Sequence, residues 1–501
     1  MPTIIVEIRK KTRVVRPALA IGLGGLLLAA LWLGLVAMAP AHADPGIRYV
    51  ATDGDDSKLC DSIADRCRTV QRAIDVADPI DEIQVATGTY TDVAGTVAEI
   101  NRTVTLLGGW DGGFTTRDPI LYPTTLDAQR NGRVVYISGN ISPTIDGFIV
   151  TGGNASDEPI NAGRGGGIYS EDASPIIQNN VIISNVASIS PTVGSGGGIY
   201  LYGASASVLI SDNLIISNTA NTIAQGKGGG LILIASAATV SGNTFQGNVA
   251  GATSNSMGGG LATLGTPAVV SGNLIQGNKA TPAGTGFGGG FYTQFGAVTL
   301  SGNIIISNAA QYGALTFEQN ASITLTNNVV AQNVGGGVFV RGNATYPLAG
   351  TLLHNTITQN GNEGVYVGFY SSGYSTLALT NNIIVSHTTG IYAYQDINNS
   401  NVVTATHTLF YGNSTDTSGS TITSTNEITG SDPLFVDPAG WDYHIRADSP
   451  AVDAGTAVPW LTTDIDGDPR PWPAGGDYDI GADEYHRYTI CLPIVMKGYA
   501  G

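Results

Sequence analysis

The two stretches Asn243–Gly260, NTFQGNVAGATSNSMGGG, and Asn273–Gly290, NLIQGNKATPAGTGFGGG, are the same unit written twice in succession. The Gly-Gly-Gly that closes each unit recurs at Gly165, Gly196, Gly228, Gly258, Gly288 and Gly335, and an apolar residue follows every copy. The Asn-x-apolar-x-x-Asn that opens each unit begins at Asn180, Asn213, Asn243, Asn273, Asn303, Asn328, Asn355 and Asn382, at intervals of 33, 30, 30, 30, 25, 27 and 27. A period in this range marks stacked supersecondary units that bury a core only against one another.

Two columns around each anchor Asn are apolar in every copy. Three positions before it stand Ile177, Ile210, Val240, Val270, Leu300, Leu325, Leu352 and Leu379; two after it stand Ile182, Ile215, Phe245, Ile275, Ile305, Val330, Ile357 and Ile384. The runs are short, rich in Ile, Val and Thr, and bounded by Gly, Asn and Ser, which predicts strands and leaves no room for helices. Identical strands repeated in one chain direction pair in parallel about 4.8 Å apart, so each period is one coil of an all-β parallel solenoid, and the coils from Ile145 to Ile391 stack to roughly 40 Å. The anchor Asn column, and a second at Asn185, Asn218, Asn248, Asn278, Asn308, Asn333 and Asn360 with His387 in the last copy, predict amide ladders at the corners. The triplets predict corners with positive φ or close backbone approach; no helix follows them to make a phosphate site.

The periodic half of the chain resembles the right-handed parallel β-helix proteins of the pectin-lyase-like class. The quoted units also resemble the repeats of chlamydial polymorphic outer-membrane adhesins, although only Phe245 gives their FxxN form, so that likeness is architectural. DPLFVDPAGWDYHIRADSPAVDAGT from Asp432, TDIDGDPRPW from Thr463 and DYDIGADEY from Asp477 closely resemble the C-terminal module of the choice-of-anchor Q family. That resemblance implies a surface or secreted β-helix protein.

The ends divide accordingly. Residues 1–43 read as a signal peptide: a basic region at Arg9–Arg16, an apolar stretch at Ala18–Ala37 and Ala41-His42-Ala43 before Asp44. The apolar stretch is long enough to serve as an N-terminal membrane anchor if uncleaved. Residues 44–140 form an N-terminal cap and irregular first coils, in which Val70, Ala73, Ile74 and Ala77 share a face of a short capping helix and Glu82–Ala86 begins the first strand. Residues 141–400 are the regular coils, 401–485 the last coils and C-terminal cap module, and 486–501 a short tail containing Cys491, a last strand or a sorting segment. Cys60 and Cys67 are placed for a local disulfide outside the cytoplasm.

The chain carries a formal charge of −17, and the leader's five bases against one acid leave −21 after cleavage. Nucleic acid is therefore excluded as a partner, and the membrane enters only through the N-terminal segment. Gly at 68 of 501 residues and only 12% charged residues suit tight, neutral coils. Asp464, Asp466 and Asp468 alternate in a Gly-containing turn and are the candidate metal ligands, for calcium; a hydrogen-bonded turn with Arg470 is the plain reading. Between Ile145 and Ile391 the acids Asp146, Asp157, Glu158, Glu171, Asp172, Asp212, Glu318 and Glu363 and the bases Arg164, Lys227, Lys279 and Arg341 look scattered over different coils. Asp157 with Glu158, and Asp172 with Asp212, are the nearest to a catalytic pair, and no catalytic residue is assigned. His354 and His387 read as structural. The loops before the triplets form a side wall of small polar residues, a plausible contact surface.

These features point to a secreted or cell-surface β-helix, noncatalytic, with a structural, adhesive or glycan-binding role toward extracellular polysaccharide or a cell-surface component. The alternative is a calcium-dependent polysaccharide lyase or other glycan-active enzyme.

Overall fold

The computed structural model describes residues 45–486 except 92–94, 283, 320–321, 370–372 and 396–400. The leader and the tail with Cys491 lie outside the described residues, and no described helix is long and apolar enough to cross a membrane. Three long parallel sheets of 14, 12 and 13 strands run the length of the described chain, each coil giving one strand to each. We call them the first, second and third sheets in that order. The register repeats the sequence period: Val240 pairs with Val270 in the first sheet, Leu231 with Leu261 in the second and Phe245 with Ile275 in the third.

The interior is built from inward columns on all three sheets. The Ile177 to Leu379 and Ile182 to Ile384 columns are at most 1% exposed. The residues after the triplets, Ile168, Ile199, Leu231, Leu261, Phe291 and Val338, supply the third column and are equally buried. Full burial of each such side chain is worth about 1.5–3 kcal/mol.

At the corner between the first and third sheets, the Asn243 side chain donates to Ile210 O at 2.9 Å and to Asn273 Oδ1 at 3.1 Å, while that oxygen also accepts the Asn243 backbone N–H. The second Asn column repeats the pattern through Asn248 and Asn278. His387 continues that ladder between Asn360 and Asn413, and burial pulls its pKa down to about 4. Each triplet divides its labour. Gly258 has φ +64°, a Cβ on Gly259 would stand 2.4 Å from Gly289 O, and one on Gly260 would stand 2.7 Å from Gly290 O. No other residue fits the middle position without moving a backbone.

The front differs from the sequence expectation in one respect. Ile47–Val50, not Glu82–Ala86, is the first strand, and the two pair in parallel. The chain between them carries the Cys60–Cys67 disulfide and a helix, Val70–Val76, capped by Thr69 Oγ1, which accepts from Arg72 N. Val70, Ala73 and Ile74 of that helix are buried against the first coils.

The far end is finished in two ways. Inward positions turn polar in the last coil, where Ser424 follows Ala405 and Thr417 follows Ile391. The C-terminal module from Asp432 then folds back along the third sheet, so the cap lies on the flank of the last coils rather than across their end. Ile445, Ala451 and Ile480 cover Ile383, Val385 and Leu409, and Tyr443 and Ala482 cover Ile306, Val329 and Ala331. Three corner residues take part in this docking. The left-handed corner position is Asn179, Asp212, Gly242, Gly272 and Gly302 in the open coils, and Asn327, His354 and Asn381 under the module. Asn327 donates to Thr463 O at 2.7 Å, and Asn381 exchanges two hydrogen bonds with the Thr456 backbone.

Candidate functional site

The outer face of the second sheet meets the side wall at a concave corner. The wall includes a small sheet of two-residue strands, Gly194–Ser195, Gly226–Lys227, Ser256–Met257 and Gly286–Phe287, which ties the ends of successive loops together just before the triplets. The second sheet's outer column is aromatic at both ends. In the early coils Tyr136, Tyr169 and Tyr200 stack in series, with Arg133 over Tyr169 at 4.6 Å and Arg164 over Tyr200 at 5.6 Å; Tyr169 is fully buried. In the later coils Phe287 of the wall and Tyr312 beside it lead into Phe339, Tyr366 and Tyr392 of that column, with centroids 4.5–5.5 Å apart. Their faces are spent on one another, so they offer edges and hydroxyls to solvent. Burial pushes Tyr366 up to about 12, which keeps its hydroxyl a donor.

The wall ends where the period shortens from 30 to 25. There a cleft of about 390 Å³ opens, lined by Asn255, Met257, Phe287, Gln294, Glu318 and Arg341, among others. Gln294, Glu318 and Arg341 occupy one outward column on three successive coils. Tyr292 donates its hydroxyl to Glu318 Oε2 at 2.9 Å, Arg341 ion-pairs with Glu318 Oε1, and Gln294 donates to Gln319 Oε1 at 2.7 Å. The Arg341 guanidinium also lies 5.4 Å from the Phe287 ring centre. An adjoining hollow of about 200 Å³ is edged by Tyr312, Phe339, Tyr366 and Glu363, whose carboxyl is pushed up by burial.

This corrects the reading of the charges as scattered. Glu318 and Arg341 stand on neighbouring coils and share a register position, a relation readable by counting each from the residue after its corner glycines. The shortened period hid it. Asp172 and Asp212 do not come together: Asp172 follows a strand of the second sheet, whereas Asp212 stands at the corner between the first and third. Glu158 accepts the Arg133 backbone N–H at 2.6 Å and ion-pairs with its buried guanidinium, so it is a structural clamp, while Asp157 beside it is exposed. His354 is buried under the module between the Arg470 guanidinium and the Asn381 amide; burial first, then Arg470, hold its pKa well below the usual histidine value.

The DIDGD turn is placed on the module. The buried Asp464 carboxylate accepts three backbone N–H groups, from Asp466, Asp468 and Glu484 at 2.8–3.1 Å. Asp466 instead faces His444, whose Nε2 lies 2.6 Å from its carboxylate while Nδ1 lies 2.5 Å from Asp442. Those bonds, Asp466 foremost, push His444 up to about 10. Behind the turn, Arg470 and Glu484 form an ion pair at 3.3 Å with both side chains fully buried. Burial pushes Glu484 up to about 7 against the pull of Arg470.

The family described as right handed beta helix region matches residues 167–353. The chain is a right-handed parallel β-helix. Among solved structures it is similar to pectate lyase Pel9A (12% identity, TM-score 0.36, covering 89% of this chain and 97% of that one). It is also similar to a rhamnogalacturonan lyase (11%, TM-score 0.34, covering 78% and 90%) and to XylC in complex with xylose (11%, TM-score 0.40, covering 87% and 98%). No curated protein matches the sequence. At these identities and scores the likenesses say nothing of activity.

Proposed function

We propose that this β-helix is an extracytoplasmic, noncatalytic glycan-binding protein and that the cleft at Gln294, Glu318 and Arg341 is its binding site. The observation that carries the reading is the composition of the cleft: the amides of Asn255, Gln294 and Gln319 and the Arg341 guanidinium surround one carboxylate, Glu318, already held by Tyr292 and Arg341. Such groups exchange hydrogen bonds with sugar hydroxyls, and the coil spacing of about 4.8 Å suits an extended chain laid along the corner. Glycoside hydrolysis ordinarily needs two carboxylates about 5–9.5 Å apart, one of them free to move a proton. The Cys60–Cys67 disulfide supports an oxidising, extracytoplasmic setting.

The test is affinity electrophoresis of the chain from Asp44 through a panel of neutral and acidic polysaccharides, run beside assays for reducing ends and unsaturated sugar with and without calcium. Retardation without product release supports the proposal. Product release that a chelator abolishes replaces it with a calcium-dependent lyase, and no retardation on any polysaccharide leaves the cleft without a glycan role.

A further inference from the structure

The cleft leaves one cluster on the C-terminal module unused. His444 from the strand Asp442–Ile445, Asp466 from the DIDGD turn and Asp483 from the segment after Ile480 each bring one donor atom within 4.8 Å of the others. We propose that these three side chains bind a zinc-class divalent cation.

Each ligand is already oriented. Asp442 Oδ1 accepts from the His444 Nδ1–H at 2.5 Å, which leaves Nε2 to face Asp466 and Asp483. A carboxylate behind the imidazole is the usual support of a metal-bound histidine, fixing its tautomer and raising its basicity. The Asp466 backbone is held by the Asp464 carboxylate. Asp483 gives Oδ2 to the Ile445 N–H at 2.8 Å. Its other oxygen takes no hydrogen bond among the described residues, although the residue is only 8% exposed. That oxygen is the one Asp483 can turn to a cation beside His444 Nε2 and the Asp466 carboxylate.

The donor set selects the metal. One imidazole nitrogen and two carboxylates with a position left for water suit zinc or a similar borderline ion, whereas calcium takes six to eight oxygens. Ligand atoms about 2.0–2.2 Å from a tetrahedral zinc stand about 3.3 Å apart. Opening the 2.6 Å His444–Asp466 contact by roughly 0.7 Å, with loss of the shared proton to solvent, admits the ion. The Asp464, Asp466 and Asp468 turn is a poorer cradle because the Asp464 carboxylate is already occupied by three amides.

The experiment is a Co²⁺ titration of the full mature chain at neutral pH, read by visible d–d absorption and by competition with Zn²⁺ and Ca²⁺. One equivalent with tetrahedral bands, displaced by Zn²⁺ and not by Ca²⁺, is expected. His444→Gln and Asp483→Asn should abolish the bands, and Asp468→Asn should leave them. Because His444→Gln also removes an ion pair, Asp442→Asn serves as the second test: all three ligand atoms remain, and affinity should fall about 10- to 100-fold. Absence of bands, bands that survive His444→Gln, unchanged affinity in Asp442→Asn, or displacement by Ca²⁺ would each overturn the proposal.

Discussion

The coils around Asn243–Gly290 and those from Tyr312 to Phe410 share one interior and differ in everything outside it. The earlier coils keep a period of 30, raise a wall beside the second sheet and leave the third sheet open, with Thr244, Gln246 and Gln276 outward. The later coils shorten the period to 25 and then 27, drop the wall, and turn Val329, Ala331, Ile383 and Val385 outward because the C-terminal module covers them. The solenoid's interior thus fixes spacing only. Loop length decides where a cleft opens, and outward letters decide where a second element docks.

The sharpest way to break this comparison is at the shared interior. Gly259→Ala drives a Cβ to 2.4 Å from Gly289 O and should cost about 3 kcal/mol or more, or prevent folding. Gly265→Ala, at φ +63° with nothing within 4 Å of its Cβ, should cost only about 1 kcal/mol. Urea unfolding of the two variants checks the contrast; equal losses would mean the triplets are not packing constraints.

The next effect belongs to the later coils alone. Arg470→Met strands Glu484 in a fully buried site, a change worth about 3–5 kcal/mol to the docked module. Hydrogen exchange should show lost protection from Asp453 to Glu484 and unchanged protection from Asn243 to Gly290. Loss spread evenly over both regions would show that module and coils unfold as one.

How much of this was legible follows from the same contrast. Every property repeated with the period, the two Asn ladders, the inward columns and the Gly corners, could be read from one unit and checked against the next. What is not repeated was harder. The Glu318–Arg341 pair falls where the interval has shortened, and the flank docking is written in outward apolar residues such as Val329 and Ile383 and in the corner contacts of Asn327 and Asn381, none of them periodic. The Asp464–Asp468 alternation was visible, but its partner His444 lies well before the turn in the chain, and the two are joined through the Ala482–Asp483 segment, which bonds Ile465 on one side and Ile445 on the other.

A smaller change sharpens the corner reading. Asn327→Gly gives this corner the residue of Gly242, Gly272 and Gly302 and removes the bond to Thr463 O, so it should cost about 1 kcal/mol of module docking and leave the coils intact. Exchange at Thr463–Gly467 measures it, and no change there would mean that the corner does not recognise the module.

The smallest effect is on pH. His444 is raised to about 10 in the folded chain, so its contribution is fully present below the ordinary value near 6.5 and is lost as pH rises through about 10. The imidazole is 44% exposed, so the loss is modest. Metal-free unfolding at pH 8 and pH 10.5 lies above the range where Asp483 and Glu484, raised to about 6 and 7, titrate. Stability should fall between the two for the parent and stay flatter for His444→Asn.

On this proposal a glycan is held in the cleft at the end of the wall. Calorimetric titration of the tightest polysaccharide from the panel into the parent, Gln294→Ala, Gln319→Ala and, from the opposite flank, Thr239→Ala tests it directly. Affinity should fall at least tenfold in both glutamine variants, whose side chains line the cleft, and stay unchanged in the Thr239 variant. Unchanged affinity in both glutamine variants, or an equal loss in Thr239→Ala, would contradict it.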